Sequence, residues 1–223
     1  RLRARLDDRR LVIDELLLLG AGGASGGRLV ARGEGAWTAQ GLQLQIDARL
    51  EQLRASVRSD RQVTVSGRLG GRLDRQLAEL TGNLRVDRAR ITLPDQAAPR
   101  LGEDVSVRNL PPGVRLGPER GGERSPTARP LRVAVGVDLG DDFRIQGHGA
   151  SARLRGAVSI NATDLSEPRL SGTVQTAEGE YRAYGQVLSI ERGVLRFTGP
   201  ADNPALDVLA IRPNLVQKVG VLV

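Results

Sequence analysis

Along most of the chain, apolar and polar residues alternate one by one, the period expected when one face of a β-strand packs and the other meets water. In "GLQLQIDARL", Leu42, Leu44, Ile46, Ala48 and Leu50 point one way, and Gln43, Gln45, Asp47 and Arg49 the other. "PLRVAVGVDLG" repeats this with Leu131, Val133, Val135, Val137 and Leu139. Further runs are "RQVTVSGRLG", "GNLRVDRARITL", "DDFRIQGHG", "ARLRGAVSI", "RLSGTVQTAEGEY", "QVLSI", "GVLRFTG" and "PALDVLAI". Gly, Asp or Asn separates most of them, as hairpin turns require. The pattern predicts a nearly all-β chain with antiparallel pairing.

Two stretches depart from it. "RLRARLDDRRLVIDELLLLG" fits an amphipathic helix through its first ten residues and a strand from Leu11 onward, with "AGGASGG" as the turn before "RLVARGEGAW". Residues 94–130 contain Pro94, Pro99, Pro111, Pro112, Pro118, Pro126 and Pro130, and "PERGGERSPTARP" has no apolar periodicity. A long excursion is expected there, mobile over 118–129. The organisation read from this is a β-rich, repeat-like segment over 1–93, a Pro/Gly-rich, partly disordered excursion over 94–130, and a second β-rich segment over 131–223, the two β segments forming one continuous sheet.

Every strand offers an aliphatic face, yet no second set of helices is present to cover a sheet. Either the sheet covers itself as a closed sandwich, or it stays open and binds something apolar.

Composition removes most chemistries. The chain has no Cys and no Met, which excludes disulfides, thiolate ligands and a cysteine nucleophile, and its start on Arg1 is expected of a processed chain or an excised segment. "LVIDELLLLG" is interrupted by Asp14 and Glu15 and is far shorter than the roughly 20 residues of a membrane-spanning helix. The net charge of +7 is almost wholly arginine, Lys218 being the single lysine, and the arginines are scattered among carboxylates. With aromatics at 2% and no basic block longer than "RLRAR", the pattern is a solvated arginine-rich face, not a nucleic-acid surface. "GASGG" at Gly23 to Gly27 fits the nucleophile elbow only formally, because the sole base is His148, read as an outward-facing strand histidine. Asp7/Asp8 and Asp141/Asp142 lack companion ligands at metal spacing, Lys218 follows Gln217 where a phosphate loop needs Gly, and "GHGASA" lies among strands. "NAT" at 161–163 fits a glycosylation pattern frequent by chance. No enzyme, metal or cofactor is expected.

One stretch is recognisable. Gly179, Tyr181, Ala183, Tyr184, Gly185, Gln186, Leu188 and Ile190, then Gly193, Leu195, Phe197, Gly199 and Pro200, then Asn203, Pro204, Leu206, Asp207 and Ala210 resemble the C-terminal domain of the TamB family. "LRVDRARITLPD", "LGEDVSV" and "VDLGDDFRIQGHGASARLRGAVSI" are similar to that family's segments in its order; the likeness is specific from about residue 82 and looser before. It implies a translocation and assembly module protein of Gram-negative bacteria, anchored in the inner membrane by an N-terminal helix that is not in this chain. It implies a periplasmic sheet rolled into a half-pipe, or β-taco, with an apolar concave groove. It implies work with TamA in outer-membrane protein and autotransporter assembly and in phospholipid movement between membranes. The chain stops at "QKVGVLV", so contact with TamA is expected through parts mostly absent here.

Within the motif, the expected strands are "GEYRAYGQVLSI", a turn at Glu191 to Gly193, "VLRFTG", a turn at "GPADNP" and "ALDVLAI". Tyr181 and Tyr184 have opposite parity, which puts one at a rim, and Gly185 marks a bulge or a close backbone approach. Three readings of the aliphatic face follow. In a lipid conduit, Leu42, Leu44, Ile46, Leu131, Val133, Val135, Val137, Leu154, Val158, Ile160, Leu188, Ile190, Leu195 and Phe197 face acyl chains. In a chaperone, that face or a sheet edge takes strands of an unfolded outer-membrane protein by β-augmentation. In a closed sandwich, these residues merely fill the core.

Overall fold

The computed structural model describes residues 1–39, 41–94, 130–163, 168–183, 185–200, 203–212 and 220–222. In chain order the strands are β1 (Leu2–Asp7), β2 (Arg10–Leu19), β3 (Arg28–Thr38), β4 (Gly41–Val57), β5 (Arg61–Leu73), β6 (Ala78–Thr92), β7 (Leu131–Asp138), β8 (Phe143–Gly147), β9 (Ala150–Ala162), β10 (Arg169–Ala183), β11 (Gln186–Pro200), β12 (Ala205–Ile211) and β13 (Gly220–Leu222). All thirteen belong to one elongated sheet that runs from β1 to β7 and on from β9 to β13, with β8 inserted between β6 and β9. At about 4.8 Å per strand, it is on the order of 50 Å wide.

The first twenty residues form a hairpin, which overturns the helical reading of the first ten. Leu2, Ala4 and Leu6 of β1 stand opposite Leu16, Ile13 and Leu11 of β2, and Asp8 takes a left-handed φ of 50° in the turn. An amphipathic stretch this short gains little as an isolated helix, whereas cross-strand aliphatic pairs stabilise it as a strand. "AGGASGG" is the expected connection, closed by a 3-10 turn at Gly23–Gly26.

Antiparallel pairing holds everywhere except in two pairings, both on β6. β6 runs parallel to β7, Ala78–Arg85 beside Leu131–Asp138, and to β8, Ala89–Thr92 beside Phe143–Gln146. The cause is where the chain re-enters the sheet: β7 begins at the end where β6 began, which a tight turn cannot achieve. Of the excursion expected over 94–130, residues 95–129 lie outside the described residues.

The motif around the tyrosines is built differently from the expectation. The predicted single strand "GEYRAYGQVLSI" is a hairpin, since Ala183 pairs with Gln186. Gly185 has φ 72° and open space where a Cβ would be, so it is a left-handed turn residue rather than a bulge or a close approach. The predicted turn at Glu191 to Gly193 is a bulge inside one continuous β11, seen as a register shift against β12 between Ile190 and Arg192. His148 likewise lies in a turn and not on a strand, with φ 51° and Gly149 at 80°. Tyr184 and the Ala201–Asp202 part of the "GPADNP" turn lie outside the described residues.

Candidate binding site on the apolar face

Register determines which side chains share a face, and it assembles the aliphatic positions into rows that cross the sheet. One row reads Leu16, Ala31, Ala48, Leu69, Gly82, Val135, Ile160, Leu170 and Gly199 across β2 to β11, omitting β8. The next reads Leu18, Leu29, Leu50, Gly67, Leu84, Val137, Val158, Gly172 and Phe197. A third reads Ile13, Gly33, Ile46, Gly71, Leu80, Val133 and Ala162, and a fourth Leu11, Gly35, Leu44, Leu73, Ala78 and Leu131. The row between the first two, on the opposite face, begins with Leu17 and Val30 and continues with Arg49, Arg68, Asn83, Gly136, Ser159, Ser171 and Thr198. All fourteen residues predicted to line the apolar face lie on it. Leu42 faces Trp37 at one end and Leu188 faces Tyr181 at the other.

Leu50, Val135, Leu139, Leu154 and Val174 are buried, yet among the described residues no large side chain falls below 2% exposure, the small Ala89 reaching 1%, and Leu206, opposite Leu195, keeps 52%. The densest packing is a cluster of Leu139, Leu154 and Val174, with Phe143, Val158, Leu195 and Phe197 against it. These members come from strands of one sheet; no second sheet is present among the described residues.

Two features of this face escape a strict period-two reading. The first is a reciprocal exchange of glycine and aliphatic residues. On β5 and β6, Gly67 pairs with Leu84 and Leu69 with Gly82; on β9 and β10, Gly156 pairs with Val174 and Val158 with Gly172. A Cβ on any of these four glycines would collide with a carbonyl oxygen of the facing strand, and their φ angles lie between 133° and 151°. Each aliphatic side chain thus leans over a glycine, the close approach that Gly allows within a strand. The four Gly-X-Leu/Val triplets are the sequence signal that would have revealed it.

The second is a line of bulges. Register shifts at Gln52 on β4, Asp87 on β6, Ala177 on β10 and Glu191 on β11 fall beside one another, together with the break between β7 and β8. At each, the apolar positions change parity: Leu50 to Leu53, Val86 to Ala89, Thr176 to Gly179, Ile190 to Gly193. This is why Leu188 and Ile190 share a face with Leu195 and Phe197 despite opposite parity. Bulges bend and twist strands, so aligned bulges concentrate bending along one line. Across that line on the polar face, the Gln52 amide donates to Ser66 Oγ at 3.0 Å and the Ser66 hydroxyl to Asp87 Oδ2 at 2.6 Å.

The motif residues fall around this line. Gly193 is buried against the Thr176 and Ile190 side chains, while Tyr181 is 40% exposed at the sheet end. The Asn203 amide donates to the Pro200 carbonyl at 3.4 Å, and Pro204 leads into β12.

The candidate chemistry does not assemble. Ser25 is exposed, its hydroxyl donating to Gly22 O at 3.0 Å, and His148 is at least three strands away, about 14 Å laterally. Asp141 and Asp142 are held by arginine: Asp141 by Arg85 at 3.2 Å and Arg155 at 3.5 Å, Asp142 by Arg144 at 2.8 Å and Arg88 at 3.0 Å. The Arg144 hydrogen bond, opposed by desolvation and helped by Arg88, holds the Asp142 carboxyl below its ordinary range. Arg28 does the same for Glu51, and Arg58 for Asp60. Among the described residues, no group of three or more His, Cys, Asp or Glu could hold a metal ion, and no helix is long and apolar enough to cross a membrane.

The molecule is therefore of the class of long, single-sheet β proteins whose distinguishing surface is one aliphatic face. The chain belongs to the TamB C-terminal domain family, which it matches over residues 19–223. A relative is the translocation and assembly module subunit TamB of Haemophilus influenzae, 29% identical over 138 residues. That match covers 60% of this chain and 10% of the relative, so the chain spans only a small part of the relative's length.

Proposed function

We propose that this chain is part of a periplasmic, envelope-spanning protein whose apolar face forms a groove that carries phospholipid acyl chains between the inner and outer membranes, and that supports outer-membrane protein and autotransporter assembly with TamA. TamA is engaged, in this reading, mainly by other parts of the full-length protein. The observation that carries the reading is the set of aliphatic rows running strand to strand without a covering layer among the described residues. An acyl chain of about 15 methylenes left in water costs on the order of 12 kcal/mol at about 0.8 kcal/mol per methylene. Leu, Val and Ile present no polar atom for a sliding chain to leave unsatisfied, so rows of them permit movement along the sheet without specific pockets.

The test is to purify the protein gently from membranes and to place a photo-crosslinking residue at Val133. Phospholipid in the extract, with crosslinks to acyl chains, is the expected outcome. Absence of lipid, with crosslinks to unfolded barrel proteins instead, overturns the conduit in favour of a chaperone. One observation favours that second reading: β1 pairs only with β2 among the described residues, and it exposes Leu2 at 62% and Leu6 at 67% on a strand edge that can accept another strand.

A further inference from the structure

The polar face carries a feature that an acyl-chain path on the other face does not require. Arg90, Arg144 and Arg153 pair directly across β6, β8 and β9, so three guanidinium groups stand in consecutive strands about 4.8 Å apart. Like charges directly opposite one another are unfavourable unless something negative lies between them. Part of that compensation is internal: Arg144 Nε donates to Asp142 Oδ1 at 2.8 Å, and Arg153 pairs with Glu178. Asp142, however, is shared with Arg88. Arg90 has no ion pair or hydrogen bond among the described residues, and Arg153 Nε is buried without an acceptor. These arginines line an open recess of about 840 Å³, together with Gln146, Ser151 and Ser189 and with two carboxylates, Glu178, already paired with Arg153, and Glu180.

We propose that this recess binds a phosphate ester. Phosphate supplies several charged oxygens on one centre, enough to accept from the Arg90 and Arg144 forks at once, and it adds beside Arg90 the negative charge that Asp142 and Glu178, each paired with another arginine of the ladder, do not supply there. The recess is larger than a bare phosphate, and the two serine hydroxyls and the Gln146 amide suit a hydroxylated ester group. A lipid headgroup and a soluble phosphate ester share this chemistry. Because the site lies on the opposite face, it does not rest on the acyl-chain reading.

Titration calorimetry of the whole chain with glycerol 3-phosphate, and flotation with phosphatidylglycerol vesicles, tests the assignment. Saturable binding of glycerol 3-phosphate, displaced by inorganic phosphate, is expected. Arg90→Gln should weaken it at least about tenfold. Arg90→Lys should weaken it less, and Arg32→Gln, elsewhere on the same face, should leave it unchanged. Arg144→Lys keeps a cation for Asp142 but removes the planar fork; it should also weaken binding, and it stands in if Arg90→Gln does not fold. Binding of the soluble ester alone assigns a soluble source, and vesicle flotation lost in the same variants assigns a headgroup. No binding of either probe, equal displacement by chloride at matched ionic strength, or an equal loss in Arg32→Gln overturns the proposal.

Discussion

The two faces of this sheet share every backbone hydrogen bond but follow different rules. On the apolar face, position and size are constrained together: a glycine stands where the neighbouring strand presents a leucine or valine, and the bulges keep aliphatic side chains on that side where a plain alternation would turn them away. On the polar face, arginines meet carboxylates at exposed positions, as Arg10 meets Glu34 at 2.9 Å and Arg5 meets Asp14 at 2.6 Å. Surface pairs of this kind contribute at most about 1 kcal/mol each. The contrast teaches that the shape of the sheet is encoded on one side and its charge on the other, so substitutions on the two sides should differ in kind.

The largest effect should come from filling a reciprocal pair. Gly82→Val places a β-branched side chain at φ 151° against the Arg68 carbonyl, with Leu69 leaning over the same spot. Strain and overpacking together should cost about 3 kcal/mol or more. Thermal denaturation should show a large loss of melting temperature, or no folded protein. Gly41→Ala, at φ 105° with open space around it, should cost only about 1–2 kcal/mol. Equal losses at the two positions would remove the packing role assigned to the pairs.

Next comes loss of mass on the apolar face. Leu50 is 6% exposed, and Leu50→Ala should cost about 2–3 kcal/mol in urea unfolding. Ser171→Ala on the other face should stay within about 0.5 kcal/mol. Val133→Asp sharpens the comparison further. Val133 is half-buried between Leu80 and Ala162, so its carboxylate can reach water if the face is open. The expected outcome is a folded sheet by circular dichroism with acyl-chain crosslinking lost. An unfolded Val133→Asp protein would mean that this face behaves as a closed core.

How much of this could be read beforehand follows from the same contrast. Alternation identified the strands of the regular regions, and twelve of the fourteen aliphatic positions named for one face lie in stretches where the period of two leaves no freedom; Leu188 and Ile190 share that face with Leu195 and Phe197 only through the bulge at Glu191. It failed where the period itself breaks. The turn expected at Glu191 to Gly193 is a bulge, since a parity change in the pattern is compatible with either a turn or one extra residue, and only pairing with β12 distinguishes them. The sequence marks Gly185 as a bulge or a close backbone approach; its left-handed φ of 72° and the open space around it make it a hairpin turn residue. The parallel entry of β7 beside β6 has no local signal at all, for it depends on where the chain returns after 36 residues between Leu93 and Pro130 are counted through, and not on any residue within either strand. The arginine ladder was read as a scattered solvated surface because Arg90, Arg144 and Arg153 come together only through register.

The smallest predicted effect belongs wholly to the polar face. Asp142, Glu51 and Asp60 each have a folded-state pKa below the ordinary value, because Arg144, Arg28 and Arg58 respectively hydrogen-bond the carboxylate form. A depressed carboxyl pKa contributes stability that is present above the unfolded pKa and is lost as the pH falls through the folded one. The ordinary values are 3.8 for aspartate and 4.5 for glutamate. Stability should therefore be insensitive to these groups from neutrality down to about pH 5 and should decline below it. The slope should be shallow, since all three lie in solvent and salt screens them. Asp142→Asn should reduce the slope in that acidic window while leaving little change at neutral pH, and Leu50→Ala should lower stability equally at both. If Leu50→Ala altered the acid slope as much as Asp142→Asn does, the division of labour between the two faces would not hold.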